Sequence, residues 1–193
     1  MKNILLLSTH AGGGVGSVLM DWVDKDAENL YTIALLDYAN DKIKHWAGIN
    51  RRMLYGKLAE NKTVLRECIA KADIVVLNHW DHPLLREFMQ AEWPESRMVS
   101  WLHKNYPVPE EEIGYSDIFI DTSPIQNHGR YIGSCRNMDR FLAIQPVPHK
   151  HFNIGTVCSP KLHPRWGEMC EEIHKAIPDS RFIVLGDHNP NRE

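Results

Sequence analysis

Short apolar runs alternate along this chain with longer polar stretches whose hydrophobic residues recur every three or four positions. Ile4, Leu5, Leu6 and Leu7 form an unbroken apolar run that passes into Ser8, Thr9 and His10 and then into Gly12, Gly13 and Gly14. A run without alternation, closed by glycines, is the pattern of a strand buried on both faces of a parallel sheet. Val15, Leu19, Trp22 and Val23 follow at helical spacing, so the chain opens as strand, glycine loop, helix. Residues 31–36 predict a second strand. The polar segment 41–71, with Ile43, Trp46, Ile49, Leu54, Leu58, Leu65 and Ile69, predicts two helices, the second starting near Asn61, Lys62 and Thr63. Residues 72–78 are β-branched and apolar and predict a third strand. An amphipathic helix over 83–93 is ended by Pro94, and a fourth strand over 98–102 leads into His103. Residues 117–121 predict a fifth strand, a short helix starts near Ser123 and Pro124, and residues 141–144 predict a sixth strand.

This alternation is that of an α/β protein with a doubly wound parallel sheet, whose ligand site lies at the carboxyl ends of the strands. The texture changes after Ile144. Gln145, Pro146, Val147, Pro148, His149, Lys150 and His151 are stiff and polar, as a linker is. A strand over 152–157, a helix over 165–177 and a strand over 182–185 follow. The expected organisation is therefore a first domain over 1–144, a linker over 145–151, and the start of a truncated second Rossmann-type domain over 152–193. One βαβ unit cannot bury its own faces, which is why the last segment is expected to be incomplete.

Composition narrows the function classes. Of 193 residues, 43% are hydrophobic and 24% charged, which suits an ordinary globular core. The net charge of −3 carries no long basic run, so nucleic acid and anionic membrane are not the expected partners. No apolar run approaches a transmembrane span, and the first strand is too short for a signal peptide. Cys68, Cys135, Cys158 and Cys170 form no C-x-x-C pair, the pattern of reduced thiols in a cytoplasmic protein.

Two segments carry candidate chemistry. A glycine loop that opens a helix presents backbone N–H groups with no intrahelical partner at the positive end of the helix dipole, a site for phosphate. Gly12-Gly13-Gly14-Val15-Gly16 is neither a Walker A loop nor a clean G-x-G-x-x-G, and close packing of helix on strand would also require glycine there. The second segment is Asn78-His79-Trp80-Asp81-His82. It resembles the H-x-H-x-D-H run of the metallo-β-lactamase fold, which would make His79, Asp81 and His82 ligands of a metal-dependent hydrolase. The first histidine of that run falls on Leu77, and the parallel alternation does not suit that fold's antiparallel sandwich, so no metal site is expected. Asp81 and His82 then cap the helix at Pro83 or line the cleft. His149 and His151 lack a third metal partner in sequence.

The order of the pieces resembles the N-terminal part of a GT-B glycosyltransferase of the large retaining family 4. The resemblance is carried by the opening strand with residues 12–16, the Ala72-Asp73-Ile74-Val75-Val76 strand, and the strand ending in His103. It continues in Ser116-Asp117-Ile118-Phe119-Ile120-Asp121-Thr122-Ser123, loosely in Pro146-Val147-Pro148 and Phe152, and then in Ile154-Gly155-Thr156, Pro164-Arg165-Trp166 and Phe182-Ile183-Val184-Leu185-Gly186. Thr156 stands where the family has an arginine, and the chain ends before the family's acidic E-x7-E region. The resemblance implies transfer of a sugar from a nucleotide-sugar co-substrate to an acceptor hydroxyl, with retention and no further cofactor. It implies His103 as the catalytic residue near the transferred sugar, and Gly13, Gly14, Val15, His79 and Lys104 at the donor or acceptor. Lys161 is a further candidate for neutralising phosphate. The expected partners are a nucleotide-sugar, a glycan or small-molecule acceptor, and a missing C-terminal domain or partner chain, with weak or no transfer by this chain alone. A non-catalytic domain that binds a nucleotide, a glycan or a protein is the alternative from another class.

Overall fold

The computed structural model describes residues 1–47, 52–103, 108–123, 129–133, 138–143, 145, 148, 151–157 and 165–185. The chain divides into two compact units, Met1–Phe141 and Leu142–Glu193.

In the first unit the order is β1 (Asn3–Ser8), α1 (Gly13–Lys25), β2 (Leu30–Leu35), α2 (Asp41–Ala47), β3 (Arg52–Tyr55), α3 (Leu58–Lys71) and β4 (Ile74–His79). It continues through α4 (Pro83–Gln90), β5 (Met98–Leu102), α5 (Glu110–Ile113), β6 (Ile118–Asp121), β7 (Arg130–Tyr131) and α6 (Asp139–Leu142), whose last residue belongs to the second unit. The seven strands form one sheet in the order β3-β2-β1-β4-β5-β6-β7, and every neighbouring pair is parallel. The chain thus winds outward from β1 to β3, crosses back to β4 beside β1, and winds outward the other way.

The pleat explains why β1 carries no polar alternation. Ile4 and Leu6 point into one core with Val18, Leu19 and Val23 of α1 and Ile43 of α2. Leu5 and Leu7 point into a second core with Leu65 and Ile69 of α3 and Leu85 and Phe88 of α4. Because successive side chains face opposite sides, a strand with helices over both faces must be apolar at every position. The doubly wound parallel α/β sheet expected from the sequence is present.

Several local expectations differ from the structure. Segment 41–71 does hold two helices, α2 and α3, but Arg52–Tyr55 between them is an edge strand, β3, and α3 begins at Leu58, after Gly56, rather than near Asn61. β3 has one neighbour and exposed or half-buried side chains, so its pattern lacks the apolar run of a central strand. The helix over 83–93 stops at Gln90. Trp93 keeps the apolar rhythm because its ring stacks on Phe88 at 4.8 Å while its Nε1–H donates to the Phe88 carbonyl at 2.6 Å. Residues 141–144 do not form a sixth strand: Phe141 and Leu142 lie in α6, and Ile144 is outside the described residues. The seventh place in the sheet goes to Arg130 and Tyr131, two exposed residues with no apolar signal. Ser123 is a bend, and Pro124 is outside the described residues.

The second unit contains β8 (Phe152–Val157), α7 (Trp166–Ala176) and β9 (Ser180–Leu185), with β8 and β9 parallel. Of the linker expected between the units, Gln145 and Pro148 are exposed, and Pro146, Val147 and His149 lie outside the described residues. No helix among the described residues is long and apolar enough to cross a membrane.

Ile183 in β9 is 48% exposed, whereas Val75 in β4 is fully buried. A two-stranded sheet has fewer apolar contacts to break on opening. Amide hydrogen exchange should therefore be faster at Ile183 than at Val75 by at least about a hundredfold, roughly 2.7 kcal/mol less protection. Equal protection would contradict this.

Candidate functional site

The topology leaves its crevice where the winding reverses, between the carboxyl ends of β1 and β4. Three of the sequence-predicted groups arrive there from adjacent strands: the glycine loop after β1, His79 at the end of β4, and His103 just after β5.

The glycine loop has two separable parts. Gly16 serves packing, since a Cβ there would lie 1.9 Å from the Ala11 carbonyl oxygen. Gly13 has φ +62°, a conformation that costs an L side chain about 1–2 kcal/mol. At Gly13 and Gly14 a Cβ would meet no atom within 4 Å, so space stands open in front of the first turn of α1. Gly12 is the N-cap of α1 and supplies no side-chain cap bond, and no acidic residue occupies the first turn. Val15 is half-buried beside them. The loop's entry is set by His10, whose Nδ1 accepts the Gly12 N–H at 3.1 Å.

Asn78 joins the three strand ends. It is 1% exposed. Its Nδ2–H donates to the Leu7 carbonyl at 3.0 Å, which leaves Oδ1 to accept from His103 Nε2–H at 2.9 Å. The His103 backbone N–H donates to the His79 carbonyl at 3.0 Å. Burial lowers the His103 pKa from 6.5 to about 4, so the ring is neutral near pH 7. With its proton held on Nε2 toward Asn78, Nδ1 carries a lone pair. That atom is able to accept a hydrogen bond.

His79, implied by the resemblance at the donor or acceptor, closes β4. It is 1% exposed and Glu112 of α5 is 5% exposed, and the two are joined between Nε2 and Oε2 at 2.7 Å. Burial lowers the His79 pKa, opposed by Glu112, so a neutral ring donates to the carboxylate. Arg86 Nε donates to the other Glu112 oxygen at 3.3 Å and also binds Asp81. His82 caps α4, accepting the Leu84 N–H on Nδ1 at 3.2 Å, with Pro83 in the first turn. The three residues of the hydrolase motif thus serve three different partners. Among the described residues no group of three or more His, Cys, Asp or Glu is arranged to hold a metal, and the sheet is parallel rather than the sandwich that reading requires. His151 pairs with Asp179 at 2.7 Å. Lys104, Lys161 and His149 lie outside the described residues.

Asn78, Glu112 and His10, which tie the strand ends and the loop together, were not among the candidates expected from the sequence. Asn78 had a signal: a polar residue closing an apolar central strand must be hydrogen-bonded when buried. Glu112 had none, because Glu110, Glu111 and Glu112 are alike in sequence and only packing selects one.

A cavity of about 680 Å³ lies elsewhere, lined by Trp22, Lys25, Asp26, Trp101 and Ile120 among others. Its lining runs from the end of α1 and the turn before β2 to Trp101 of β5, Ile120 of β6 and Ile132 after β7, and lacks the glycine loop.

Two solved structures share this architecture. One is an α-glucosyltransferase in complex with UDP and a 13-mer DNA containing a central A:G mismatch, at TM-score 0.65 and 10% identity over 98% of this chain and 57% of that one. The other is an α-glucosyltransferase in complex with UDP-glucose and DNA containing an abasic site, at TM-score 0.56 and 12% identity over 97% of this chain and 58% of that one. The fold is the Rossmann-like α/β fold that these two structures share. At these identities the likeness extends to the fold alone, and the chain spans a little over half the length of either structure. No protein-family model matches the sequence, and no curated protein matches it.

The half-buried, neutral imidazole of His103 has a pH signature. Its folded pKa of about 4 lies below the unfolded 6.5, so the unfolded chain takes up the proton first as pH falls. The contribution is present in full above about pH 6.5 and is lost progressively down to about pH 4, at most on the order of 3 kcal/mol. Urea titrations of the chain and of His103→Gln should show a shallower loss in the variant across that window. Identical pH slopes would contradict the burial argument.

Proposed function

We infer that the chain is part of a glycosyltransferase that moves a sugar from a nucleotide-sugar to an acceptor hydroxyl, with UDP as the nucleotide and with retention in the manner of family 4-like GT-B enzymes. The observation that carries the reading is the meeting of an uncapped, open glycine loop and a lone-pair-bearing His103 at one switch point. The shared fold of two α-glucosyltransferases bound to UDP or UDP-glucose supports the same class.

Each group then has a role. The first-turn N–H groups of α1, at residues 13–15, donate to a diphosphate, where they and the helix dipole stabilise negative charge on the leaving group. His103 Nδ1 accepts from a hydroxyl of the transferred sugar and fixes its orientation. Asn78 is a positioning residue, holding that ring through Nε2. The His79–Glu112–Arg86 group holds the end of β4 from behind. The acceptor is read as a glycan or small molecule. The neighbours' DNA makes nucleic acid the competing acceptor, but with 22 Lys and Arg against 25 Asp and Glu this chain has no net positive charge to attract a polyanion.

Gly14→Val tests the reading cleanly, because the added side chain meets open space in the fold yet stands in front of the first-turn donors. Calorimetry should find UDP binding to the chain with Kd of about 0.1–1 mM, since one set of backbone donors supplies only part of a nucleotide's contacts. Binding should weaken at least about tenfold in Gly14→Val without loss of thermal stability. UDP binding of unchanged strength in the variant would reject the glycine loop as the diphosphate site.

A further inference from the structure

The carboxyl edge of the sheet also holds a cluster of aromatic rings that the transfer chemistry above does not use. His10 follows β1, Tyr38 follows β2, and Trp80 and His82 follow β4, so the rings come from three adjacent strand ends around the switch point. His10 and Tyr38 stack with centroids 5.4 Å apart and planes 27° apart. Trp80 meets His10 edge-on, at 5.8 Å and 72°, and lies 4.8 Å from His82 at 51°. Tyr38 is 50% exposed, and the other three rings are half-buried.

Backbone bonds fix where the imidazole protons sit. Gly12 N–H donates to His10 Nδ1 and Leu84 N–H donates to His82 Nδ1, so each neutral ring keeps its proton on Nε2. The cluster therefore combines aromatic faces, which are electron-rich, with neutral N–H and O–H donors at their margins. Its planes are tilted against one another. The arrangement offers a ligand one ring face at a time. A saturated ring that lays its C–H groups on one aromatic face and turns its hydroxyls toward the donors fits the shape and the polarity. Neutral donors suit hydroxyls rather than phosphate charge.

We propose that His10, Tyr38, Trp80 and His82 form a subsite for the pyranose ring of a carbohydrate acceptor. This rests on the transfer reading and deepens it by naming the acceptor's chemical class. His10 links the two sites, because the ring that stacks on Tyr38 also accepts the N–H of Gly12, the N-cap of α1.

The test is titration calorimetry of the full chain with methyl α-glucopyranoside and its galacto and manno epimers, and separately with uridine and UDP. Tyr38→Ala removes an exposed ring, and His82→Asn removes a ring while keeping a side chain able to cap α4. At least one pyranoside should bind saturably below about 100 mM, and each variant should weaken it about fivefold or more while leaving UDP within about twofold. The proposal is overturned if no pyranoside binds, if the variants leave pyranoside binding unchanged, or if they weaken uridine and UDP instead. Pyranoside binding that responds to both variants, with no UDP binding at all, would uphold the subsite and reject the nucleotide-sugar reading alone.

Discussion

The arrangement of the site depends on one buried amide. Asn78 lies at the carboxyl end of β4, bonded to the Leu7 carbonyl of β1 on one side and to His103 beyond β5 on the other. A buried amide left without partners costs about 1–3 kcal/mol, so these bonds are enforced by burial rather than being optional decoration. Their consequence is chemical. Orienting the amide toward Leu7 leaves only its oxygen for His103, and that choice puts the imidazole proton on Nε2 and the lone pair on Nδ1.

The rest of the molecule makes that constraint meaningful. Two apolar cores clamp β1 and β4 from opposite faces, which fixes the register that sets Leu7 beside Leu77. Gly16 lets α1 approach Ala11 closely, and the same helix then presents its uncapped first turn at the switch point. Behind β4, Glu112 is shared between His79 and Arg86, so the strand end is tied to α4 and α5. The polar groups thus divide between those that lock strand ends and those that face the crevice.

How much of this was legible in the sequence follows from the same physics. Unbroken apolar runs announced the central strands because helices cover both faces, and the glycines after Ser8 announced the loop. Edge elements were illegible: β3 and β7 are half-buried or exposed, so nothing in Arg52-Met53-Leu54-Tyr55 or Arg130-Tyr131 enforces a strand pattern. Phe141 and Leu142 imitated a strand because a short apolar run does not distinguish strand from helix. His103 was recognisable from its place after an apolar strand, but its tautomer depends on Asn78, 25 positions away. His79, Asp81 and His82 looked like a set because they are close in sequence. Strand alternation and the start of α4 send them to Glu112, Arg86 and a helix cap.

The central claim is that the glycine loop and the strand ends knitted together by Asn78 form one ligand site. Amide chemical-shift mapping of the labelled chain on titration with UDP-glucose tests it most directly. The largest shifts should fall at residues 12–15, at Asn78 and His79, and at His103. Shifts confined to the cavity walls around Trp22, Asp26 and Trp101, with residues 12–15 unmoved, would contradict it.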